Sequence, residues 1–343
     1  MQKRIRDYGI IVGNHPTGTY NRITDVPGVR VGHCTIHEND THTGVTVILP
    51  GEDNPFLHPY TAAAYVHNGF GKSAGLLQIQ ELGTLETPIA LTNTLNVGKV
   101  SDALISCMIE ETHKAGKEVY SINPVVGECN DSRINAIGKR AVNEEHVRQA
   151  IRNASIIFDE GSEGAGTGTV CNGLKGCIGS ASRTIEIDHK TYTIGVLVQS
   201  NFGSTKDLIL NNDPIGIRIL ESMQRNDASS KEDRGSIMTV LSTDLPVTDS
   251  QLYRIIRRCG VGIARTGAYT GHGSGEIMIG FTTANRITDQ PIQSLTCIHS
   301  NMINLAFEAT AEAVQEAIYN SMITSDQTRS LDGKIFHSLK EFL

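Results

Sequence analysis

The chain has 343 residues, of which 39% are hydrophobic and 20% charged, and its formal net charge at pH 7 is -7. This composition is typical of a globular protein with a large core, and the mild acidity without basic blocks argues against a nucleic-acid partner. No apolar run approaches the ~20 residues of a membrane span, and none follows the basic N-terminus, so we expect neither membrane association nor secretion. The seven scattered cysteines favour reduced thiols and a cytoplasmic location.

Strand-like and helix-like patterns alternate along the chain. In chain order, they predict a strand at 44–50, helices at 73–82 and 101–115, a strand at 118–124, a helix at 144–151, a strand at 191–199, a helix within 208–223, a strand at 236–242, a helical region at 249–266 that begins at Asp249, a strand at 275–282 and a long amphipathic helix at 297–323. This mixture favours a layered α/β or α+β sandwich.

The usual cofactor motifs are incomplete. A phosphate-binding loop ending at 69–73 would need glycine where the chain has Val66, and a dinucleotide fingerprint at 164–168 would need glycine in place of Thr169. Three histidines lie close together in an apparently polar loop without a consistent ligand spacing: His33, His37 and His42. We therefore predict no cofactor and no metal.

The clearest functional signal is the junction between a polar linker, 224–235, and the strand predicted to begin at Ser236. The Ser236 hydroxyl can attack the carbonyl of Gly235, which exchanges the amide for an ester that water then opens. The released α-amine has an ordinary pKa of about 7.7–8 and can accept the proton of its own hydroxyl. We predict cleavage between Gly235 and Ser236; taken alone, the stretch also fits an ordinary loop before a strand.

Two other segments carry groups that suit this chemistry. Ser274 and Glu276 are two residues apart at the start of a strand, which places both side chains on one face. Asn201 directly follows a strand and is an amide donor of the kind that stabilises an oxyanion. Each also fits a structural role, since Ser274 and Glu276 could meet solvent in a turn and Asn201 could cap one.

Collinear segments along nearly the whole chain resemble the self-processing β-aminopeptidase family of L-aminopeptidase/D-esterases (DmpA) and β-peptidyl aminopeptidases (BapA). The matching segments are 23–33, 68–75, 124–128, 164–179, 196–203, 235–236 and 273–277. The resemblance implies a four-layer αββα sandwich of the α+β class, like that of ornithine acetyltransferases. It also implies a single catalytic domain, 1–343, cut into an α chain, 1–235, and a β chain, 236–343, that assemble as a homotetramer of αβ pairs.

The same resemblance implies roles for the candidate residues. Ser236 would be the nucleophile both in self-cleavage and in hydrolysis. Ser274 would hydrogen-bond to Ser236, and Glu276 would orient the pair and interact with the Ser236 amine. Asn201 would donate to the tetrahedral oxyanion, and no cofactor would take part.

Substrate binding is implied for a further pair of residues. Glu128 would bind the free ammonium of small peptide, amide or ester substrates, although it could equally be a buried carboxylate hydrogen-bonded to backbone. Asn130 stands where family members often carry tyrosine, which bears on α- versus β-peptide preference. Acyl transfer to an amine, hydrolysis of ω-amino amides and an unprocessed binding protein are the alternative functions.

Overall fold

The computed structural model describes residues 2–223 and 235–343. Its strands are β1 (Arg30–Glu38), β2 (Thr41–Leu49), β3 (Tyr60–Gly69), β4 (Thr84–Leu85), β5 (Ile89–Asn93), β6 (Val125–Cys129), β7 (Val170–Cys171), β8 (Leu174–Lys175), β9 (Ile178–Ile187), β10 (Lys190–Asn201), β11 (Ser236–Thr243), β12 (Gly275–Arg286), β13 (Thr328–Arg329) and β14 (Ile335–Phe336). Its α-helices are α1 (Leu76–Leu82), α2 (Val97–Lys114), α3 (Glu144–Arg152), α4 (Ile215–Ser222), α5 (Asp249–Ile256), α6 (Cys259–Ala264) and α7 (Ile303–Ile323).

Two sheets form the centre of the molecule. A four-stranded sheet has the order β1-β2-β5-β6, and a six-stranded sheet has the order β4-β3-β12-β11-β10-β9. Apolar side chains of both sheets, such as Ile48, Leu91, Met238 and Ile279, share one core between them. A second core joins the four-stranded sheet to α2 and α3, and a third joins the six-stranded sheet to the C-terminal helices. The layers are therefore helix, sheet, sheet and helix, as the αββα prediction requires.

Most predicted elements are present, with shifted ends, but the strand predicted at 118–124 is wrong. That stretch is irregular, and its Tyr120 is 94% exposed. The strand of this region is β6, whose five residues are all buried and pair in parallel with β5. Pairing and burial, rather than local β propensity, decided where the strand lies. Of the polar linker predicted at 224–235, residues 224–234 fall outside the described residues.

The predicted amphipathic helix at 297–323 begins later, as α7, and from Ala309 onward it is buried on all sides. Every residue from Ala309 to Ile323 is buried, including Glu312 and Glu316. Glu316 pairs with the fully buried Arg183 at 2.7 Å and with Arg6 at 2.8 Å. Although burial by itself raises the pKa of Glu316, these two guanidinium groups hold it below its ordinary value. The charged side of the helix, which was expected to face solvent, therefore contacts the N-terminal segment through Arg6 and β9 through Arg183.

None of the helices within the described ranges combines the length and apolar character that a membrane crossing requires.

Replacing Glu316 with alanine should strongly destabilise the fold. The substitution leaves Arg183 buried without its nearest carboxylate, and breaking a buried pair in this way costs about 3–5 kcal/mol. Glu110→Ala, which removes an exposed partner of Arg148, is the matched control and should barely change stability. Denaturant unfolding of the three proteins measures the difference, and equal stability of the two variants would contradict the buried-pair account.

The β1–β2 hairpin carries a histidine that is held neutral. His33 lies in β1, and its Nδ1 is 2.9 Å from the Thr46 hydroxyl on β2. Burial lowers the pKa of His33 from its ordinary 6.5 to about 4, against an opposing hydrogen bond with the Asp159 backbone. Between these pH values the unfolded chain binds more protons than the folded one, so stability falls as the pH drops from 6.5 towards 4.

His33→Asn should therefore make folding stability less sensitive to acid. Because part of His33 remains exposed, we expect it to account for about 1–2 kcal/mol of the loss between pH 7 and pH 4.5. His58→Asn, at an exposed position, is the control and should keep the wild-type pH dependence. Urea unfolding at both pH values gives the comparison; an identical acid-induced loss in wild type and His33→Asn would refute the assignment.

Candidate active site

Ser236 lies where three strands of the large sheet end together. It is the first residue of β11, and it pairs with Asn201, the last residue of β10, and with Gly275, the first residue of β12. All eight residues of β11 are buried, as expected for a central strand covered on both faces. Ser236 is only 4% exposed. The core of the protein therefore fixes the position of the predicted nucleophile.

Asn201 is oriented towards the Ser236 hydroxyl. Its Nδ2 donates to Ser236 Oγ at 3.2 Å, and its Oδ1 accepts from the backbone N–H of Val170 at 3.0 Å. The bond from Val170 sets which end of the amide faces Ser236, because only an acceptor can receive an N–H. This donor position, beside the hydroxyl and at the end of a rigid strand, suits an oxyanion hole.

The glycine-rich segment 164–179 supports Asn201 from behind. Lys175 is completely buried there, and its ammonium donates to the carbonyls of Gly166 at 3.0 Å and Thr169 at 3.1 Å. Burial lowers the pKa of Lys175. Val170, which holds the Asn201 side chain, directly follows Thr169. These hydrogen bonds hold the segment in place and, through Val170, fix the Asn201 side chain.

Gly235 is held where a side chain would not fit. A Cβ at this position would lie 2.5 Å from the Cα of Phe202 and 2.8 Å from the carbonyl oxygen of Asn201. The Gly235 carbonyl also accepts from the backbone N–H of Gly275 at 3.1 Å. Glycine is needed at this bond because it lets the chain pass against the end of β10.

Ser274 and Glu276 form the predicted pair, at the start of β12, the strand next to Ser236: Ser274 directly precedes the strand and Glu276 is its second residue. Both are buried, and the Ser274 hydroxyl donates to Glu276 Oε1. Within the described part of the chain, the Ser274 hydroxyl bonds to Glu276 rather than to Ser236. Glu276 is on the same face of β12 as Met278, which packs in the core between the large sheet and the helices. Ser236 is on the same face of β11 as Met238, which packs in the core between the two sheets. The pair therefore approaches the backbone end of Ser236 from the opposite face.

Glu128 reaches the site from the smaller sheet, close to the end of β6. Its Oε1 accepts from the backbone N–H of Lys72 at 2.9 Å, and its Oε2 accepts from the Thr94 hydroxyl. The residue is 4% exposed. No lysine, arginine or histidine in the described ranges lies within ion-pair distance of Glu128. Among the described residues, the carboxylate thus has uncharged donors and no cationic partner, which suits the binding of a substrate ammonium.

Ser236, Asn201 and Glu128 open into one cavity of about 340 Å³. Its other lining residues are Phe70, Lys72, Thr94, Asn130, Ser132, Arg133, Gly235 and Gly273. Asn130 is exposed at the rim, and its Oδ1 accepts from the backbone N–H of Ser132 at 3.0 Å. The structure brings five of the predicted residues to this cavity: Asn201, Glu128, Asn130, Gly235 and Ser236.

Cys129 lies beneath Ser236, on the face of β6 that meets the large sheet. Its Sγ donates to the carbonyl of Gln199 at 3.3 Å. Burial raises the pKa of the Cys129 thiol well above its ordinary value, and a hydrogen bond with the Ser236 hydroxyl opposes this only in part. Since the thiolate is the reactive form of cysteine, Cys129 does not compete with Ser236 as a nucleophile.

Several contacts in the site could not have been found from the sequence. Lys72 contributes a backbone N–H to Glu128, Thr94 a hydroxyl to the same carboxylate, and Val170 a backbone N–H to Asn201. Asn68 donates to the carbonyls of Ser274 and, at 3.1 Å, Gly271, which fixes the loop before β12. The sequence indicated only that Asn68 and Lys72 lie in segment 68–75, one of the segments that resemble the family. It could not predict the backbone donors, because any residue type except proline supplies a backbone N–H.

Potential metal ligands lie elsewhere. Among the described residues, three side chains converge closely enough to hold an ion: His15, Glu308 and Glu312. Glu312 already accepts from the backbone N–H groups of Asn14 and His15 and pairs with Arg183. The histidines expected in a loop instead lie on strands: His37 and His42 face each other across the β1–β2 hairpin, with their Nδ1 atoms 3.2 Å apart.

Comparison with known proteins identifies a family that spans most of the chain. The model of peptidase family S58 matches residues 21–336. The β-peptidyl aminopeptidase BapA of Sphingosinicella microcystinivorans is 33% identical over 354 aligned residues, which cover 96% of this chain and 88% of that protein.

Solved structures extend the similarity to the fold. The PH0078 protein of Pyrococcus horikoshii OT3 superposes with a TM-score of 0.92 at 41% identity, with 99% of this chain and 97% of that chain covered. The L-aminopeptidase D-Ala-esterase/amidase of Ochrobactrum anthropi, a serine aminopeptidase with a variant Ntn-hydrolase fold, gives 0.90 at 33% identity, covering 98% and 95%. The chain therefore belongs to peptidase family S58, as a serine hydrolase of the N-terminal-nucleophile type.

Proposed function

We propose that this protein is a self-processing aminopeptidase that releases the N-terminal residue of small peptides, amides or esters. The observation that carries the proposal is the shared cavity of Ser236, Asn201 and Glu128. A nucleophile with an amide donor beside it suits acyl transfer, and a carboxylate that has no cationic partner among the described residues suits a free amine. The substrates include β-peptides, because the Sphingosinicella relative is named a β-peptidyl aminopeptidase.

In the proposed maturation, Ser236 Oγ attacks the Gly235 carbonyl carbon. The C–N bond breaks, the nitrogen takes a proton, and Gly235 is left as an ester on Ser236. Water then hydrolyses the ester, which yields an α chain 1–235 ending in a carboxylate and a β chain 236–343 beginning with a free amine. Asn201 Nδ2 lies 3.2 Å from Ser236 Oγ. It would stabilise the negative charge that forms on the former carbonyl oxygen of Gly235 during the attack.

In the proposed hydrolysis, the freed Ser236 amine accepts the proton of its own hydroxyl. The hydroxyl oxygen attacks the substrate carbonyl, Asn201 donates to the oxyanion, and the leaving amine takes the proton. Water then opens the acyl-enzyme. Glu276, held by Ser274, can reach the amine because a backbone nitrogen at a strand end is accessible from the face opposite its side chain. Glu128 holds the substrate ammonium, which confines cleavage to the first residue.

The proposed setting is the cytoplasm, with the αβ pairs assembled as a homotetramer. All seven cysteines are free thiols, which suits a reducing compartment. Several large apolar side chains are strongly exposed and offer surface for assembly, among them Leu77, Tyr120 and Ile292.

Membership of a peptidase family favours water over an amine as the acceptor of the acyl group from Ser236.

Ser236→Ala should abolish both processing and activity. The variant should remain a single chain of 37.1 kDa on a denaturing gel, whereas wild type gives two fragments. N-terminal sequencing of the smaller wild-type fragment should begin Ser-Ile-Met-Thr-Val. Ser250→Ala, at an exposed serine, is the control and should be processed normally. An uncut wild-type protein that still hydrolyses an alanine amide would rule out the proposed mechanism.

Asn201→Ala should lower kcat by about 10²–10³ in processed enzyme, because it removes the oxyanion donor. Asn201→Asp keeps the Oδ1 that accepts from Val170 but replaces the donor, so we expect a loss at least as large. Asn301→Ala, on the surface, is the control. Steady-state kinetics on an alanine amide gives the result, and full activity in Asn201→Asp would show that Asn201 serves only to hold Val170.

A further inference from the structure

The short segment Phe70-Gly71-Lys72 is locked against the entrance of the cavity. A Cβ on Gly71 would lie 2.9 Å from Ile277 Cδ1, so the backbone passes directly over β12. The Lys72 backbone N–H then donates to Glu128 Oε1 at 2.9 Å. These two contacts fix the main chain of Lys72 beside the carboxylate that is proposed to hold the substrate ammonium.

The Lys72 side chain carries a charge for which the described part of the chain offers no carboxylate partner. Its Nζ lies 4.2 Å from the centre of the Phe70 ring, which is itself 56% exposed. No carboxylate of residues 2–223 or 235–343 lies within ion-pair distance of Lys72, and Glu128 is the only acidic residue among the described ones that line the cavity. The ring supports the ammonium electrostatically while leaving its N–H donors available.

We propose that Lys72 is a specificity residue that favours substrates with a carboxylate on the acyl residue, meaning the residue that is transferred to Ser236. The inference rests on the proposed function, in which Glu128 binds the amine of that residue. The Lys72 backbone nitrogen lies 2.9 Å from Glu128 Oε1. Because the N–Cα bond is about 1.46 Å long, the Lys72 Cα lies roughly 4 Å from the same oxygen. The Lys72 side chain therefore starts at the amine end of the substrate rather than at its leaving group.

Two kinds of acyl residue present this chemistry. An α-linked aspartyl or glutamyl residue carries the carboxylate on its side chain. A β-linked aspartyl residue carries it as the α-carboxylate beside the amine, and its main chain has the extra carbon of a β-amino acid. In both, Glu128 and Lys72 would bind the ammonium and the carboxylate of the same residue. A charge-assisted contact of this kind gives about tenfold or more in discrimination.

The test compares kcat/KM for anilides of alanine, lysine, α-linked aspartate, β-linked aspartate and β-alanine. Lys72→Met keeps the side-chain length and the backbone N–H, and it should lower the ratio of kcat/KM for acidic over neutral substrates about tenfold. Lys72→Glu should reverse the preference towards an N-terminal lysine substrate. Lys117→Met, at an exposed lysine, is the control and should keep the wild-type ratio. The α- and β-aspartyl arms show which carboxylate position Lys72 recognises.

The outcomes separate the inference from the proposed function. An unchanged ratio in Lys72→Met, or an equal loss on all substrates, would overturn the role of Lys72 while leaving the aminopeptidase intact. A wild-type enzyme that cleaves none of the anilides, neutral ones included, would overturn the proposed function and this inference with it. Thermal unfolding of Lys72→Met is measured as well. A midpoint temperature equal to that of wild type would show that a lost preference does not arise from misfolding.

Discussion

The register of β11 between β10 and β12 is the constraint on which the whole candidate site depends. Side chains alternate along a strand, so a slip of one residue would turn Ser236 away from Asn201 and from the space between the sheets. Burial of all eight residues of β11 prevents such a slip. Met238 contributes a specific contact, because its side chain occupies the space that a Cβ on Gly127 of β6 would need. The same core packing that stabilises β11 therefore also positions the candidate nucleophile, Ser236.

Two buried carboxylates show how the fold treats charge differently in its core and in its cavity. Glu316 is compensated by Arg6 and Arg183, and its pKa is held low. Glu128 is almost as inaccessible, yet within the described residues it has only a hydroxyl and a backbone N–H as partners. A buried charge without a counter-charge is unfavourable unless a ligand provides one. This contrast is the physical reason to place a substrate ammonium at Glu128.

The local sequence was a good guide where composition and burial agree, and a poor one where they conflict. The apolar, β-branched run after Ser236 predicted β11 because a central strand needs such residues on both faces. The stretch 118–124 has similar local propensity but pairs with no strand of the described chain, and β6 forms the pairing instead. The charged positions of α7 suggested a solvent-facing side, whereas Arg183, distant in sequence, brings Glu312 and Glu316 inside. Neither outcome is encoded within a window of ten or twenty residues.

The amino-acid sequence by itself determined which groups are available for chemistry: a serine after glycine at the start of a buried strand, an amide at the end of another, and a Ser-x-Glu pair. The tertiary structure alone decided which of them meet. It joined Asn201 to Ser236 across β10 and β11, turned the Ser274 hydroxyl to Glu276, and brought Glu128 into the cavity from a different sheet. Pairing between strands and close contact between sheets join residues far apart in the chain, and no local pattern records those distances.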